Sequence, residues 1–201
     1  MKRISQADIL AMDKYYRTAF VNSLPGVRQA NLIGTISKSG ITNVAVFNSV
    51  VHIGAHPPYM GFIMRPVSAE RHTYNNIKET GYFTINQVNE AIFKQAHQTS
   101  ARYEISEFEA TGLTPVFSDA IQAPYVAECN VRIGLKYKEE YPIICNNTIL
   151  VIGEIIEVYM NEDALNSDGI IQLQQTHAVG VGGLETYYSL NILKQLPYAK
   201  P

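Results

Sequence analysis

Residues Thr42–Pro66 read TNVAVFNSVVHIGAHPPYMGFIMRP. Two apolar segments flank a polar centre, Asn48-Ser49, and a turn at Gly54-Ala55-His56-Pro57-Pro58. β-branched and aromatic residues dominate both segments, and the turn holds the residues that break regular structure, so the stretch predicts strands. The second segment, Tyr59–Met64, runs into Arg65-Pro66, and Ser68-Ala69-Glu70-Arg71-His72-Thr73 then opens a predicted helix. A strand that delivers an arginine to a helix start suits a phosphate. The first amides of a helix lack partners, its dipole favours an anion, and a guanidinium adds charge-assisted hydrogen bonds.

Working outward, Ala30–Ser37 predicts a strand with Ser39-Gly40 as its turn, and Thr42–Val51 and Tyr59–Met64 predict the next two, an antiparallel meander. Ser68–Thr80 predicts a helix capped by Ser68 and closed by Gly81. Tyr82–Val88 predicts a strand, Glu90–Thr99 and Ser106–Thr111 short helices, and Val126–Tyr137 and Thr148–Tyr159 two long strands. The last has apolar residues on both faces at its start, as a strand buried on both sides would, and Gly153 within it marks a bulge or a close approach. Near the N-terminus Ser5 caps a predicted helix with Ile9, Met12, Tyr16, Ala19 and Phe20 at helical spacing, ended by Leu24-Pro25-Gly26. Many strands with short connections predict a closed or nearly closed barrel.

The chain has 201 residues, 46% of them hydrophobic and 17% charged, enough for one sizeable core and too few to favour two domains. A net charge of −2 gives no electrostatic case for nucleic acid or an anionic membrane. The opening MKRISQADIL is too polar for the core of a signal peptide, and no apolar run nears the roughly 20 residues that span a bilayer, so a cytoplasmic protein is expected. Cys129 and Cys145 form no Cys-x-x-Cys pair and read as buried free thiols.

Arg65 reads as a phosphate contact rather than a plain surface arginine because of the helix start beside it. Ser68 serves as cap, phosphate contact or both. Arg71 and His72 sit in a first turn, where the dipole disfavours cations unless an anion is bound. Thr73 reads equally as helix surface or ligand contact. Asn48 and Ser49 are polar groups that interrupt an apolar strand and therefore need partners, or else mark its end. His52 and His56 have the spacing of a metal pair, but Gly54 and two prolines break the helical geometry and no third ligand is evident. His177 precedes a glycine-rich run, Gly180–Gly183, that lacks a dinucleotide fingerprint and reads as a flexible turn.

Several of these pieces recur together in one family. Asn31-Leu32-Ile33-Gly34-Thr35, the run Asn43–Pro58, Arg65-Pro66 with Thr73 and Asn76-Ile77, Gly81-Tyr82-Phe83-Thr84-Ile85-Asn86, Phe108–Leu113 and Gly182-Gly183-Leu184-Glu185-Thr186-Tyr187-Tyr188 stand in matching order and spacing. Over about Ala30–Leu190 the chain resembles the flavin reductase-like, FMN-binding split-barrel family, which includes flavoredoxin-type proteins. The resemblance implies a mainly β fold, a six-stranded antiparallel Greek-key split β-barrel with added short helices, as one domain over residues 1–201. It also implies a homodimer with FMN near the subunit interface. By the same resemblance Asn48, Ser49, Val50, Val51, His52 and Gly54 lie along the flavin ring, and Arg65, Ser68, Arg71, His72 and Thr73 hold its phosphate. No single catalytic side chain and no metal is implied. The expected function is NADH- or NADPH-dependent flavin reduction by hydride transfer to N5. The alternative is a flavoredoxin-type electron carrier that exchanges electrons with a partner protein. A more distant use of the same barrel is pyridoxal phosphate or haem handling.

Overall fold

The computed structural model describes residues 1–66 and 71–200. In chain order the elements are α1 (Gln6–Ala11), α2 (Lys14–Ser23), β1 (Val27–Gln29), β2 (Asn31–Ile36), β3 (Thr42–Phe47), β4 (Val50–Ala55), β5 (Pro58–Met64), α3 (His72–Thr80) and β6 (Tyr82–Gln87). There follow α4 (Phe93–Gln98), α5 (Glu107–Thr111), β7 (Pro115–Val116), β8 (Tyr125–Val126), β9 (Val131–Ile143), β10 (Thr148–Met160), β11 (Val179–Gly182) and β12 (Thr186–Ser189). The fold is mainly β.

A seven-stranded sheet carries the architecture, in the order β3-β2-β6-β9-β10-β5-β4, and every neighbouring pair is antiparallel. Its two edges, β3 and β4, are consecutive in the chain and are joined only by Asn48 and Ser49. Three residue steps span at most about 11 Å, so at this corner the two edges lie side by side. The sheet therefore curls round on itself and is split between β3 and β4. The expected barrel is present with one more strand than expected, because the strand predicted over Thr42–Val51 is two strands broken at the polar pair.

Alternation across β2 feeds two cores. Ile33 points inward with Phe62, Phe83, Ile85, Leu135 and Val151, while its neighbour Leu32 packs outward with Val44, Ala96, Phe108 and Val181. Inside the barrel Phe47 meets Phe62 edge-on at 5.1 Å between ring centres, and Phe62 meets Phe83 at 5.6 Å, so an aromatic row crosses beneath the split. β10 bulges beside Gly153, where a Cβ would lie 2.7 Å from the Phe83 ring; the close approach expected there is real.

The predicted N-terminal helix is two helices, because Asp13 accepts from the amides of Tyr15 and Tyr16 and so caps a second start. The strand predicted over Val126–Tyr137 is β9, which begins at Val131 after a turn at Ala127-Glu128 and runs on to Ile143 through Lys138-Glu139-Glu140 and Pro142. Pro142 is tolerated because β6 pairs with β9 only as far as Lys136, which leaves that edge of β9 without a strand neighbour among the described residues. The meander ends at β3, since among the described residues β4 pairs with β5 alone. Gly180–Gly183 is mostly strand: β11 pairs with β1 and β12 in a three-stranded sheet, and only Gly183 has the positive φ, 65°, of a turn. Cys129 is buried, which pushes its thiol pKa up, but Cys145 is exposed in the β9–β10 turn. No helix among the described residues is long and apolar enough to cross a membrane.

Candidate functional site

The corner at Asn48-Ser49 brings three parts of the chain together. The Asn48 side-chain amide donates to the Gly183 carbonyl at 3.0 Å, and the Ser49 hydroxyl donates to the Ile63 carbonyl on β5 at 3.0 Å. The partners that these polar groups required are thus, in part, main-chain carbonyls of the protein. The Ser49 hydroxyl has spent its only proton, so that side chain can meet a ligand only as an acceptor. Both residues are half-buried.

β4 leaves this corner as an open edge. Val50 packs on the barrel interior, whereas Val51, His52 and Ile53 are exposed in succession, and the register with β5 shifts between His52 and Gly54. The side of β4 away from β5 has no strand partner among the described residues, so main-chain N–H and C=O groups face outward beside apolar side chains. An uncovered apolar edge of this kind normally has a ligand or another chain against it.

Arg65 follows the last residue of β5 and is exposed. It makes no hydrogen bond or ion pair with the described residues. The helix expected over Ser68–Thr80 begins at His72; Ser68 lies outside the described residues. Arg71 occupies the N-cap position without a side-chain cap, and its Nε donates to the Pro66 carbonyl at 3.3 Å, which folds the residue back onto the end of β5. His72 is the first, exposed residue of α3. Thr73 is buried, with its hydroxyl 3.0 Å from the Asn43 amide on β3; in the orientation of Asn43 that satisfies all its neighbours, Thr73 donates to the amide oxygen and the amide nitrogen donates to Glu107. Of its two readings, the side chain therefore takes a third, a buried strut, and leaves its main-chain amide at the helix start. Gly81 closes α3 in the left-handed conformation, as expected.

The two halves of the candidate site thus sit on β4 with its corner, and on the end of β5 with the start of α3. β5 is the shared element, since it pairs with β4 along one side and carries Arg65 at its end. His56 lies exposed in the β4–β5 turn, and His177 is exposed with φ 50° in the turn before β11. Among the described residues no group of three or more His, Cys, Asp or Glu could hold a metal.

Two contributors were not legible in the residues. The β11–β12 turn reaches Asn48 from 135 positions away, and Tyr187 behind it packs on Phe93 and His97, with ring centres 5.5 and 5.8 Å apart. Burial raises the Tyr187 hydroxyl pKa. Tyr74, in the first turn of α3, donates to Glu140 on β9 at 2.8 Å. Burial first, and this bond second, raise its pKa. The only sequence signal for Tyr74 is its spacing of four from Lys78, which places both on one helix face.

The family model for the Flavin reductase like domain matches residues 27–178. A split-barrel protein from Shewanella frigidimarina NCIMB 400, provisionally described as a flavin reductase, is 46% identical; the match covers 99% of this chain and 100% of that one, with a TM-score of 0.95. Flavoredoxin of Desulfovibrio vulgaris (Miyazaki F) is 25% identical over 87% of this chain and 92% of its own, with a TM-score of 0.75. Nitrilotriacetate monooxygenase component B from Bacillus cereus, at 21% identity and 98% coverage of both chains, shares the fold with a TM-score of 0.84.

Proposed function

The chain belongs to the flavin reductase-like domain family, and from that premise we propose that it is an FMN-binding oxidoreductase that accepts hydride from NADH or NADPH. The observation that carries the FMN assignment is Arg65. A guanidinium without a partner among the described residues stands just past the end of β5, and the Arg71–Pro66 bond holds the start of α3, which has no side-chain cap among the described residues, against that end. An anion there would satisfy the guanidinium and the Thr73 main-chain amide together.

The rest of the surface fits the remainder of FMN. Along Val50, Val51, His52 and Gly54 the open edge of β4 offers alternate main-chain donors and acceptors to a planar heterocycle, and exposed Val51 and Ile53 offer it an apolar bed. Asn48 keeps its amide oxygen and one N–H beyond the bond to Gly183, and Ser49 keeps acceptor capacity. Arg71, His72 and the amide of Thr73 complete the phosphate end.

FMN supplies the hydride acceptor, N5, so the difficult chemistry belongs to the cofactor. The residues of this chain then have three tasks. They hold the ring with one face open, they keep that face at near-attack distance from the nicotinamide, and they offset charge on the reduced ring with fixed main-chain dipoles. None of these tasks needs a titrating side chain.

Anaerobic mixing of the FMN-loaded protein with NADH or NADPH tests the reading. Bleaching of the flavin absorbance by either nucleotide is expected. If dithionite bleaches the flavin and neither nucleotide does, the protein is an electron carrier that requires a partner protein. If no flavin binds, the assignment fails altogether.

A further inference from the structure

The phosphate end of the proposed site is anchored from behind. Thr73 and Tyr74, neighbours in the first turn of α3, reach in different directions: Thr73 to Asn43 on β3, Tyr74 to Glu140 on β9. Glu140 lies on the stretch of β9 beyond its pairing with β6. One carboxylate oxygen accepts from the Tyr74 hydroxyl at 2.8 Å; the other accepts from the Tyr137 hydroxyl at 3.2 Å and lies 3.2 Å from the Lys78 ammonium. Lys78 also donates to the Tyr137 hydroxyl at 2.9 Å and sits 4.6 Å from the centre of that ring.

We propose that Glu140 is a positioning residue for the phosphate end of the site, acting through Tyr74, which fixes the first turn of α3 and hence the aim of the Thr73 and Tyr74 main-chain amides. The inference rests on the FMN reading above. Hydrogen bonds to an anion weaken steeply when the donor swings off line, so an amide pair is useful only if its helix turn cannot rotate. Thr73, Asn76 and Ile77 bury one face of α3, and the Asn76 amide donates to the Thr35 hydroxyl at 3.1 Å, so that face is fixed on β2 and β3. The Tyr74 bond, from a position about 100° round the helix from Thr73, ties the first turn to β9 as well. The Lys78–Glu140 pair is partly exposed, at 41% and 24%, and contributes less than the tyrosine bond.

Two variants test this. Tyr74→Phe removes one hydroxyl and keeps the ring; Glu140→Ala removes the anchor. FMN and riboflavin affinities are measured for both and for the wild-type protein, with the thermal midpoint of each apo form. The expected result is that FMN affinity falls at least about threefold in Tyr74→Phe, the loss of a fraction of one hydrogen bond, and no less in Glu140→Ala. Riboflavin, which lacks the phosphate, should hold its affinity in both. An unchanged preference for FMN over riboflavin in both variants overturns the proposal, and so does a parallel loss for the two flavins, which marks a merely structural contact. Equal affinities in the wild-type protein would remove the phosphate reading and this inference with it. Should Glu140→Ala not fold, Tyr74→Phe decides alone.

Discussion

Asn48 donates to the carbonyl of Gly183 at 3.0 Å, and this bond ties the split of the barrel to the turn of the smaller sheet. It joins residues 135 positions apart, at the corner where the proposed flavin edge begins. Asn48→Ala should release the β11–β12 turn. Amide exchange at 184–186 is expected to accelerate, and stability to fall by about 1 kcal/mol, the usual net worth of such a bond. Unchanged exchange there would show that the β11–β12 pairing and the Tyr187 contacts hold the turn without it.

Arg65 is exposed and makes no hydrogen bond or ion pair with the described residues. Arg65→Ala should therefore leave the apo thermal midpoint where it is and weaken FMN binding at least about tenfold, since charge-assisted hydrogen bonds are lost. A lowered midpoint with full FMN affinity would make it a packing residue.

Gly153 sits where a Cβ would meet the Phe83 ring at 2.7 Å. Gly153→Ala should destabilise the protein by about 1–3 kcal/mol through overpacking of the barrel core. Chemical denaturation reads this directly. A paired Phe83→Leu change should recover part of the loss, because it withdraws the colliding ring edge.

Glu157 accepts from Ser118, from Tyr125 at 2.6 Å and from Tyr159 at 3.3 Å. Burial raises its pKa, but these three donors outweigh burial and hold it below its ordinary 4.5. Tyr125 moves the other way, pushed up from 10.0 by burial and then by its bond to the carboxylate. A lowered carboxylate pKa contributes stability above the ordinary value that is lost as pH falls through the folded one. A raised phenol pKa contributes stability below 10.0 that is lost as pH rises beyond it. The pair should thus stabilise a plateau between the two limits. Glu157→Gln should flatten the acid limb of a midpoint-versus-pH curve, and an unaltered acid limb would rule that out.

The N-terminal helices bury none of their residues, and Leu10, Tyr15 and Tyr16 are 65–80% exposed. Short helices without a packed face are not stable in water. A second copy of the chain is the expected cover, together with the open edge of β4. Light scattering at micromolar concentration should give twice the single-chain mass of 22.4 kDa. A mass near one chain would reject the dimer.

The residues alone determined the barrel class, most strands, the glycine stop of α3 and the arginine placed before a helix start. These are local matters: side-chain alternation, turn chemistry and unpaired helix amides act within a few positions. Only the tertiary structure decided where the polar pair Asn48-Ser49 finds partners, because Gly183 and Ile63 are distant in the chain. The same holds for Thr73, whose hydroxyl is buried against Asn43, and for Tyr74, whose partner lies on β9. A polar side chain looks alike in sequence whether its hydrogen bond is made by the fold or reserved for a ligand. The difference is set by the strands that curl past it.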